Sequence, residues 1–311
     1  MRIAGIVTAI ALSLAVLHGS ARGDTARAWA AARAGLPADA KFVFGLDVAA
    51  LQKTQLFATY YPKLREDPSA AQKLDAVKDL CKLDPVAIVQ GIVVGMSSDQ
   101  QAGAAYVALT GVDRAKLSSC LQLVFQAGQK DVKISVKQAG NFTEITRGSE
   151  TAYLGWIGRD VFVVSLHAED KAALVKWMGG KGALAKTDLG KTLAKVNTAA
   201  ALWGGGQADK EIEPGVTVHG GHGAVTYAKG NVSADIHAAM TNADEAVKMA
   251  ASVNGQLGML KHAPQLSPEV VAVLTAVTIT ADKDQVRIQA SLGEKDLLGA
   301  LAFAAGNLGG P

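Results

Sequence analysis

The sequence predicts an α+β fold in which antiparallel sheets carry helices packed on one face. Short apolar runs typical of strands are joined in pairs by turn residues, as at Ser97-Ser98-Asp99-Gln100 and at Lys229-Gly230. Helical segments come between these pairs rather than after every strand, which favours antiparallel over parallel pairing. The same order of elements recurs in the second half of the chain, which indicates a tandem duplication of a β-hairpin/helix unit.

The first 23 residues have the features of an export signal. Arg2 supplies a positive start, residues 3–17 form an uncharged apolar run, and Ala21-Arg22-Gly23 offers small residues at the two positions that signal peptidase reads. The run is shorter than the roughly 20 apolar residues of a spanning helix, so a retained anchor is the alternative. No cysteine follows the run, which argues against a lipid anchor. We therefore expect an exported protein, periplasmic or extracellular, with no integral membrane segment after cleavage.

The first α+β half is predicted at residues 36–182, after an N-terminal arm at residues 24–35 that is either a short helix or a loose segment. Its helices follow capping residues such as Asp113. Predicted strands occupy residues 42–48, 88–96, 103–109, 132–137, 142–146, 151–157 and 161–166. Predicted helices occupy residues 68–82, 113–127 and 168–178.

The second half, at residues 183–311, repeats the order of strand, hairpin and helix. Thr241 and Asp244 match Thr110 and Asp113 of the first half, although capping alone also favours such residues before a helix. Gly204-Gly205-Gly206 follows a predicted strand, but the acidic residues that come next would repel a phosphate, so it is interpreted as a flexible turn rather than a phosphate-binding loop. Predicted strands occupy residues 199–203, 216–227, 231–240, 276–281 and 285–292, and predicted helices residues 244–260 and 294–304.

The chain has two cysteines, Cys81 and Cys120. In an oxidising compartment an even pair indicates a disulfide bond, and each cysteine lies on the apolar face of a predicted helix. The alternative is two buried free thiols, since unpaired cysteine behaves as a small apolar residue. No Cys-x-x-Cys motif supports a thioredoxin-type redox role.

Two short segments resemble known exported proteins. Leu36-Pro37-Ala38-Asp39-Ala40, with the following strand and Gln55-Leu56-Phe57, resembles the opening of secreted bacterial proteins grouped as a domain of unknown function. Cys81-Lys82-Leu83-Asp84-Pro85, with a second cysteine at Cys120, is similar to exported proteins of the myxobacterial type. The resemblance implies export and Cys81–Cys120 pairing, and it implies no catalytic residue.

The charge balance argues against nucleic acid as a partner. The chain has 31 basic and 28 acidic residues, and Arg2 and Arg22 lie in the predicted leader. The remainder therefore carries 29 basic residues against the same 28 acidic ones, a formal charge of +1. Without a basic block, no nucleic-acid surface or polybasic lipid-binding patch is expected. The expected partner is an unknown protein or a small apolar ligand.

One histidine pair is the strongest candidate for chemistry. If Lys229-Gly230 is a two-residue turn, His222 lies opposite His237, and Asp235 shares their face. Two imidazoles and a carboxylate can bind zinc and activate water. The opposite face of the hairpin is apolar, however, so this one is expected to be flat and to meet solvent. His219 is expected on the inner face as a core histidine.

The common catalytic motifs are missing from the sequence. It contains no Gly-x-Ser-x-Gly elbow, no His-Glu-x-x-His and no phosphate-binding Gly-rich loop. The leading hypothesis is a non-catalytic binding or envelope-associated structural protein without a cofactor. One alternative is a metal-assisted hydrolase that uses zinc at His222, His237 and Asp235. Another is a carrier of lipid or a different apolar ligand.

Overall fold

The structure, a computed structural model, describes residues 25–98, 102–128, 133–166, 171–263 and 266–308. The predicted export signal at residues 1–23 lies outside these ranges. The chain divides into two units: unit 1 ends at Lys191, and unit 2 begins at Thr192 and includes Thr54–Leu56. No helix in the described ranges is long and apolar enough to cross a membrane.

The boundary between the units follows Lys191, whereas the sequence places it between residues 182 and 183. Residues 180–182, which the sequence places at the end of the first half, are hydrogen-bonded within unit 1. The amide of Gly180 donates to the carbonyl of Gly35, and the amide of Gly182 donates to the carbonyl of Ala34, each at 2.8 Å. These bonds hold the segment against the first helix, so it belongs to unit 1.

Unit 1 contains seven described strands, which follow the sequence prediction closely. They are β1 (Phe42–Asp47), β2 (Val89–Met96), β3 (Gly103–Leu109), β4 (Ile134–Ala139), β5 (Phe142–Arg147), β6 (Glu150–Ile157) and β7 (Val161–Ser165). The pairs are antiparallel and the order is β1-β2-β3-β7-β6-β5-β4.

Unit 1 also contains helices, and the sequence predicts three of them, α4, α6 and α7. The described helices are α1 (Thr25–Gly35), α2 (Val48–Leu51), α3 (Gln55–Glu66), α4 (Pro68–Cys81), α5 (Pro85–Ile88), α6 (Arg114–Gly128) and α7 (Lys171–Met178), with a 3-10 turn at Ala183–Lys186. The α1 helix settles the choice left open for residues 24–35. Ala28 and Ala32 on this helix are fully buried, so it is an integral part of unit 1.

Helices cover both faces of the sheet in unit 1. β3 is buried along its length, and successive side chains of a strand point to opposite faces. Val107 and Leu109 lie in a core with Leu117 of α6. On the opposite face, the Tyr106 hydroxyl donates to the carbonyl of Trp177 in α7. The α+β class with antiparallel pairing is confirmed, but the expected single helix-covered face describes unit 1 too narrowly.

A disulfide bond joins Cys81 and Cys120, as predicted. It links the end of α4 to the middle of α6, with Cα atoms 5.0 Å apart. Asp67 caps the start of α4 by accepting from the Ser69 amide at 2.8 Å, and Lys82 ends the helix in a left-handed conformation. The cap and the helix end position Cys81 opposite its partner.

Unit 2 has a smaller sheet of five described strands. Its elements are α8 (Asp188–Leu193, which begins in unit 1), β8 (Leu202–Glu213), β9 (Val216–Ala228), β10 (Asn231–Met240), α9 (Ala243–Lys261), α10 (Pro268–Ala276), β11 (Val277–Asp282), β12 (Gln285–Gly293) and α11 (Glu294–Leu308). The antiparallel order is β8-β9-β10-β12-β11. Ala246 and Ala250 of α9 pack on Val286 and Ile279 and cover one face of this sheet.

The two units share a strand order. In unit 1 the last strand, β7, pairs with the second strand of the hairpin, β3, and in unit 2 β12 pairs with β10 in the same way. β6 and β11 lie outside these strands, and unit 1 adds β5 and β4. This correspondence is consistent with the predicted duplication, which itself stays a prediction.

Gly204-Gly205-Gly206 lies inside β8, so the prediction of a flexible turn is wrong. The glycines pair with residues of β9, with Gly206 opposite Gly221. A side chain has little room nearby: a Cβ built at Gly220 would lie 2.3 Å from the carbonyl oxygen of Gly206. The glycines therefore allow close strand approach rather than chain flexibility.

Candidate functional site

A two-residue turn fixes the register of the β9–β10 hairpin. Lys229 and Gly230 both have positive φ, at 52° and 77°, which a type I′ hairpin turn requires. Ala228 therefore lies opposite Asn231, and the pairing continues without a shift to His222 and His237. The structure places these histidines opposite each other, as counting residues outward from the turn predicts.

The two imidazole rings stack face to face at the centre of the sheet. Their centroids are 4.7 Å apart and their planes differ by 5°. His237 Nε2 lies 3.3 Å from Oδ1 of Asp235, which precedes it by two residues on the same face. The structure thus brings His222, His237 and Asp235 together.

The Asp235 carboxylate is held by an arginine of the next strand. Arg287 lies opposite His237 in the β10–β12 pair. Its Nε donates to Asp235 Oδ1 at 2.8 Å and its Nη2 donates to Oδ2 at 2.9 Å. This two-point contact fixes the orientation of the carboxylate and neutralises its charge.

A second row of polar side chains crosses the same strands. Ser233 lies opposite Thr226 of β9 and Ser291 of β12. The hydroxyl oxygens of Ser233 and Ser291 are 3.1 Å apart. Gln289 lies opposite Asp235, between this row and the histidine row. The polar side chains therefore form a continuous surface across three strands.

This polar surface is the floor of a cleft of about 540 Å³ in unit 2. Strands β9, β10, β11 and β12, the end of α10 and residues 195–197 contribute to its lining. Its volume lies in the range of about 300–1,000 Å³ common for small-molecule sites. The expectation of a flat surface is wrong, because segments outside the hairpin form walls beside it. The face does meet solvent as expected, since the Asp235 side chain is 44% exposed.

The end of α8 makes close contact with the sheet beside the histidines. Gly205 lies opposite His222, and a Cβ built at Gly205 would lie 3.1 Å from Cδ2 of Leu193. Leu193 is 2% exposed at this position. The chain then continues through Lys195 and Asn197, which line the cleft. The glycine thus permits the contact that brings a lysine to the histidine row.

The surroundings of His222 and Asp235 in the cleft shift the pKa values of both side chains. Burial lowers the pKa of His222 below its usual 6.5, and the nearby His237 and Lys195 lower it further. The hydrogen bonds from Arg287 lower the pKa of Asp235 below its usual 3.8. Near neutral pH, His222 is therefore neutral and Asp235 is ionised.

The geometry of Asp235 bears on the predicted zinc site. Both of its oxygens accept hydrogen bonds from Arg287, whereas a carboxylate ligand needs a free lone pair directed at the metal. In the ranges that the structure describes, no group of three histidine, cysteine, aspartate or glutamate side chains is arranged to hold a metal ion. The arrangement is that of a hydrogen-bonded polar cluster. A metal-assisted reaction at His222, His237 and Asp235 stays a prediction.

His219 is not a core residue, so this expectation is wrong. The β9–β10 pairing shifts at Ala239/Met240, and His219 is the extra residue of the resulting irregularity. Its side chain is 42% exposed. Its Nδ1 lies 2.6 Å from Asp209 Oδ1, and its Nε2 lies 3.1 Å from the hydroxyl oxygen of Thr241. The expectation assumes that the side chains of β9 alternate between the two faces without interruption, and the irregularity breaks this alternation.

Arg287 and Lys195 are the site residues that the sequence analysis misses. Arg287 belongs to β12, and nothing in the local sequence shows that β12 pairs with β10. Lys195 follows Lys186, Asp188 and Lys191 in a charged segment typical of a solvated helix face. The alternation of Arg287, Gln289 and Ser291 with apolar residues was the one available signal, since it marks a polar strand face.

Comparisons with known proteins show a shared fold. No protein-family model matches the chain, and no curated protein matches it. Crystal form III of TP0453 matches with a TM-score of 0.50 at 8% identity, covering 87% of this chain and 96% of that one. Crystal form I of the same protein gives a TM-score of 0.48. At this identity, the match with form III is evidence for the fold alone.

Proposed function

We propose that this chain is an exported, non-catalytic binding protein that takes a small polar ligand in the cleft of unit 2. The observation that carries the proposal is the polar floor built across β9, β10 and β12 inside a cleft of about 540 Å³. Clefts of this size, with a few convergent polar groups, are typical ligand sites. The polar groups lie on strands, so the sheet holds them in position.

The contacts among these groups favour binding over catalysis. Ser233 pairs with the hydroxyl of Ser291 rather than with an imidazole that would activate it as a nucleophile. Asp235 pairs with Arg287, so the carboxylate is neutralised rather than placed as a general base. The remaining donor and acceptor capacity of the floor suits recognition of hydroxyl, amide or charged groups.

The proposed binding is tested by chemical-shift mapping of the isotope-labelled protein. The probes are a library of sugars, amino acids and small organic acids, each added singly. We expect at least one probe class to shift amide signals of β9, β10 and β12 together. Ser233→Val should weaken that response, whereas Thr275→Val, on the exposed face of α10, should leave it unchanged. If no probe moves the signals of these strands, the proposed function is wrong.

Export is part of the same proposal. It is supported by the leader pattern of residues 1–23 and by the Cys81–Cys120 disulfide bond, which is typical of oxidising compartments. The test is expression of the full chain in a bacterium, followed by fractionation and intact-mass measurement. We expect periplasmic or extracellular protein that begins near Asp24, with the cysteines oxidised. Cytoplasmic protein with an intact leader would contradict export.

A carrier of lipid or another apolar ligand is a second candidate, favoured by the helices of unit 2. Val247 and Leu260 of α9 are 59% and 50% exposed. Met259 near the end of α9 is 72% exposed. Exposed apolar surface of this kind often marks a binding site. Mass spectrometry of organic extracts of the native protein tests it, and an empty extract counts against it.

A further inference from the structure

The charges that line the cleft of unit 2 are unequal. Lys195 and Asp235 are the charged side chains of the described lining. Arg287 neutralises Asp235 through two hydrogen bonds, whereas Lys195 lines the cleft from the segment after α8. With His222 neutral, the cations Lys195 and Arg287 and the anion Asp235 sum to one positive charge. This imbalance attracts an anionic group.

Lys195 also lies close to the histidine row. Its ammonium group acts electrostatically on the imidazole of His222, and both residues line the same cleft. His222 stacks on His237, which contacts the neutralised Asp235. A ligand group between Lys195 and His222 would therefore meet a cation on one side and a ring nitrogen on the other.

We propose that the cleft binds a small organic anion that also carries hydroxyl groups, with its charged group between Lys195 and His222. This inference rests on the proposed binding function and names its ligand class. The hydroxyl groups of the ligand lie over Ser233, Ser291 and Gln289, where side-chain hydroxyls and an amide exchange hydrogen bonds with them. A carboxylate and a phosphate share the chemistry needed at the charged end.

Binding of the anion is expected to strengthen as the pH falls. The groups that face His222 are Lys195 from the segment after α8, and His237 and Asp235 from β10, with Arg287 of β12 behind Asp235. In the free cleft, burial, His237 and Lys195 lower the pKa of His222 and keep it neutral, against the smaller opposing effect of the Asp235 carboxylate. A bound anion stabilises the imidazolium, so ligand binding and proton uptake are linked.

Three hexoses that differ at one carbon provide a matched test by titration calorimetry. Glucose is neutral, glucuronate carries a carboxylate, and glucose 6-phosphate carries a phosphate. We expect the anionic hexose that fits to bind about tenfold or more tightly than glucose, as a charge-assisted hydrogen bond predicts. Its affinity should rise severalfold between about pH 7.5 and pH 5.5, across the usual pKa of histidine.

Two variants locate the anion in the cleft. Lys195→Ala should lower the affinity for the anionic hexose about tenfold and leave that for glucose unchanged. Lys191→Ala is the matched control, because Lys191 pairs with Asp188 in unit 1 and does not line the cleft. His222→Phe keeps an aromatic ring on His237 and should abolish the pH dependence. Circular dichroism confirms that each variant is folded.

The outcomes separate this inference from the proposed function. If glucose binds as tightly as both anionic hexoses, the anion class is wrong while binding in the cleft stands. If Lys195→Ala and Lys191→Ala behave alike, the position of the anion is wrong. If no hexose binds and the probes that shift the signals of β9, β10 and β12 carry no anionic group, the ligand class is overturned and the binding function is kept.

Discussion

Removal of the Cys81–Cys120 disulfide bond is expected to lower the free energy of unfolding by about 4 kcal/mol. The two cysteines are 39 residues apart in sequence. For a closed loop of that length, the chain-entropy relation gives about 13 cal/mol/K, or roughly 3.9 kcal/mol at 25 °C. The effect arises mainly in the unfolded chain, which gains conformational freedom when the cross-link is absent.

Alanine is the appropriate replacement at both positions. Cys120 is 3% exposed, so a serine there would bury a hydroxyl group without a designed partner. The Cys81→Ala/Cys120→Ala variant and the native protein are compared by urea unfolding, followed through tryptophan fluorescence, to which Trp156 and Trp177 contribute. Both tryptophans are buried in unit 1, at 3% and 2% exposure. Linear extrapolation of each transition gives the free energy of unfolding.

The native protein in reducing agent serves as the control. It should lose about the same stability as the double variant, whereas the double variant should not respond to the reducing agent. A loss below about 1 kcal/mol in both would refute the reasoning, since it would mean that the cross-link barely restricts the unfolded chain. Ligand binding in unit 2 should be unaffected, because both cysteines lie in unit 1.

Four further variants test the packing and the charge states. Tyr106→Phe should lower stability by about 1–3 kcal/mol in urea unfolding, because a buried carbonyl loses its donor; an unchanged midpoint would contradict this. Gly220→Ala should destabilise the protein by more than about 1 kcal/mol, because φ is 144° and a Cβ would meet a backbone carbonyl of the neighbouring strand. Gly258→Ala in α9, where the space is open, should instead stabilise by about 0.5–1 kcal/mol. Because the folded-state pKa of His222 is lowered, the unfolded chain takes up its proton first and stability should fall as the pH drops below about 6.5; His222→Phe should flatten that slope, and equal slopes would count against it.

Local sequence predicts most strands and the longer helices, but it fails where an element depends on its neighbours. Gly204-Gly205-Gly206 has the composition of a turn, yet β9 pairs along it and makes it part of a strand. His219 would lie on the inner face only if the β9–β10 pairing were regular. The irregularity at Ala239/Met240 moves it to an exposed position instead. Helix α10 is missed because it directly precedes β11, and apolar residues run through both.

About half of the candidate site can be predicted from the sequence. The turn at Lys229-Gly230 is local, and a two-residue turn sets the register, so His222, His237 and Asp235 follow from counting. Arg287 does not follow, because it reaches Asp235 only after β12 pairs with β10. The cleft does not follow either, since its lining also comes from segments distant in the chain.

The sequence by itself determines the α+β class, the order of the elements and the register within the hairpins, because each depends on residues close together in the chain. The tertiary structure decides which strands become neighbours, which faces the helices cover, and where a cleft remains. These features depend on contacts between segments that are distant in the chain, and a local sequence pattern does not show which of those contacts form. Lys195 lines the same cleft as the histidine pair for that reason alone.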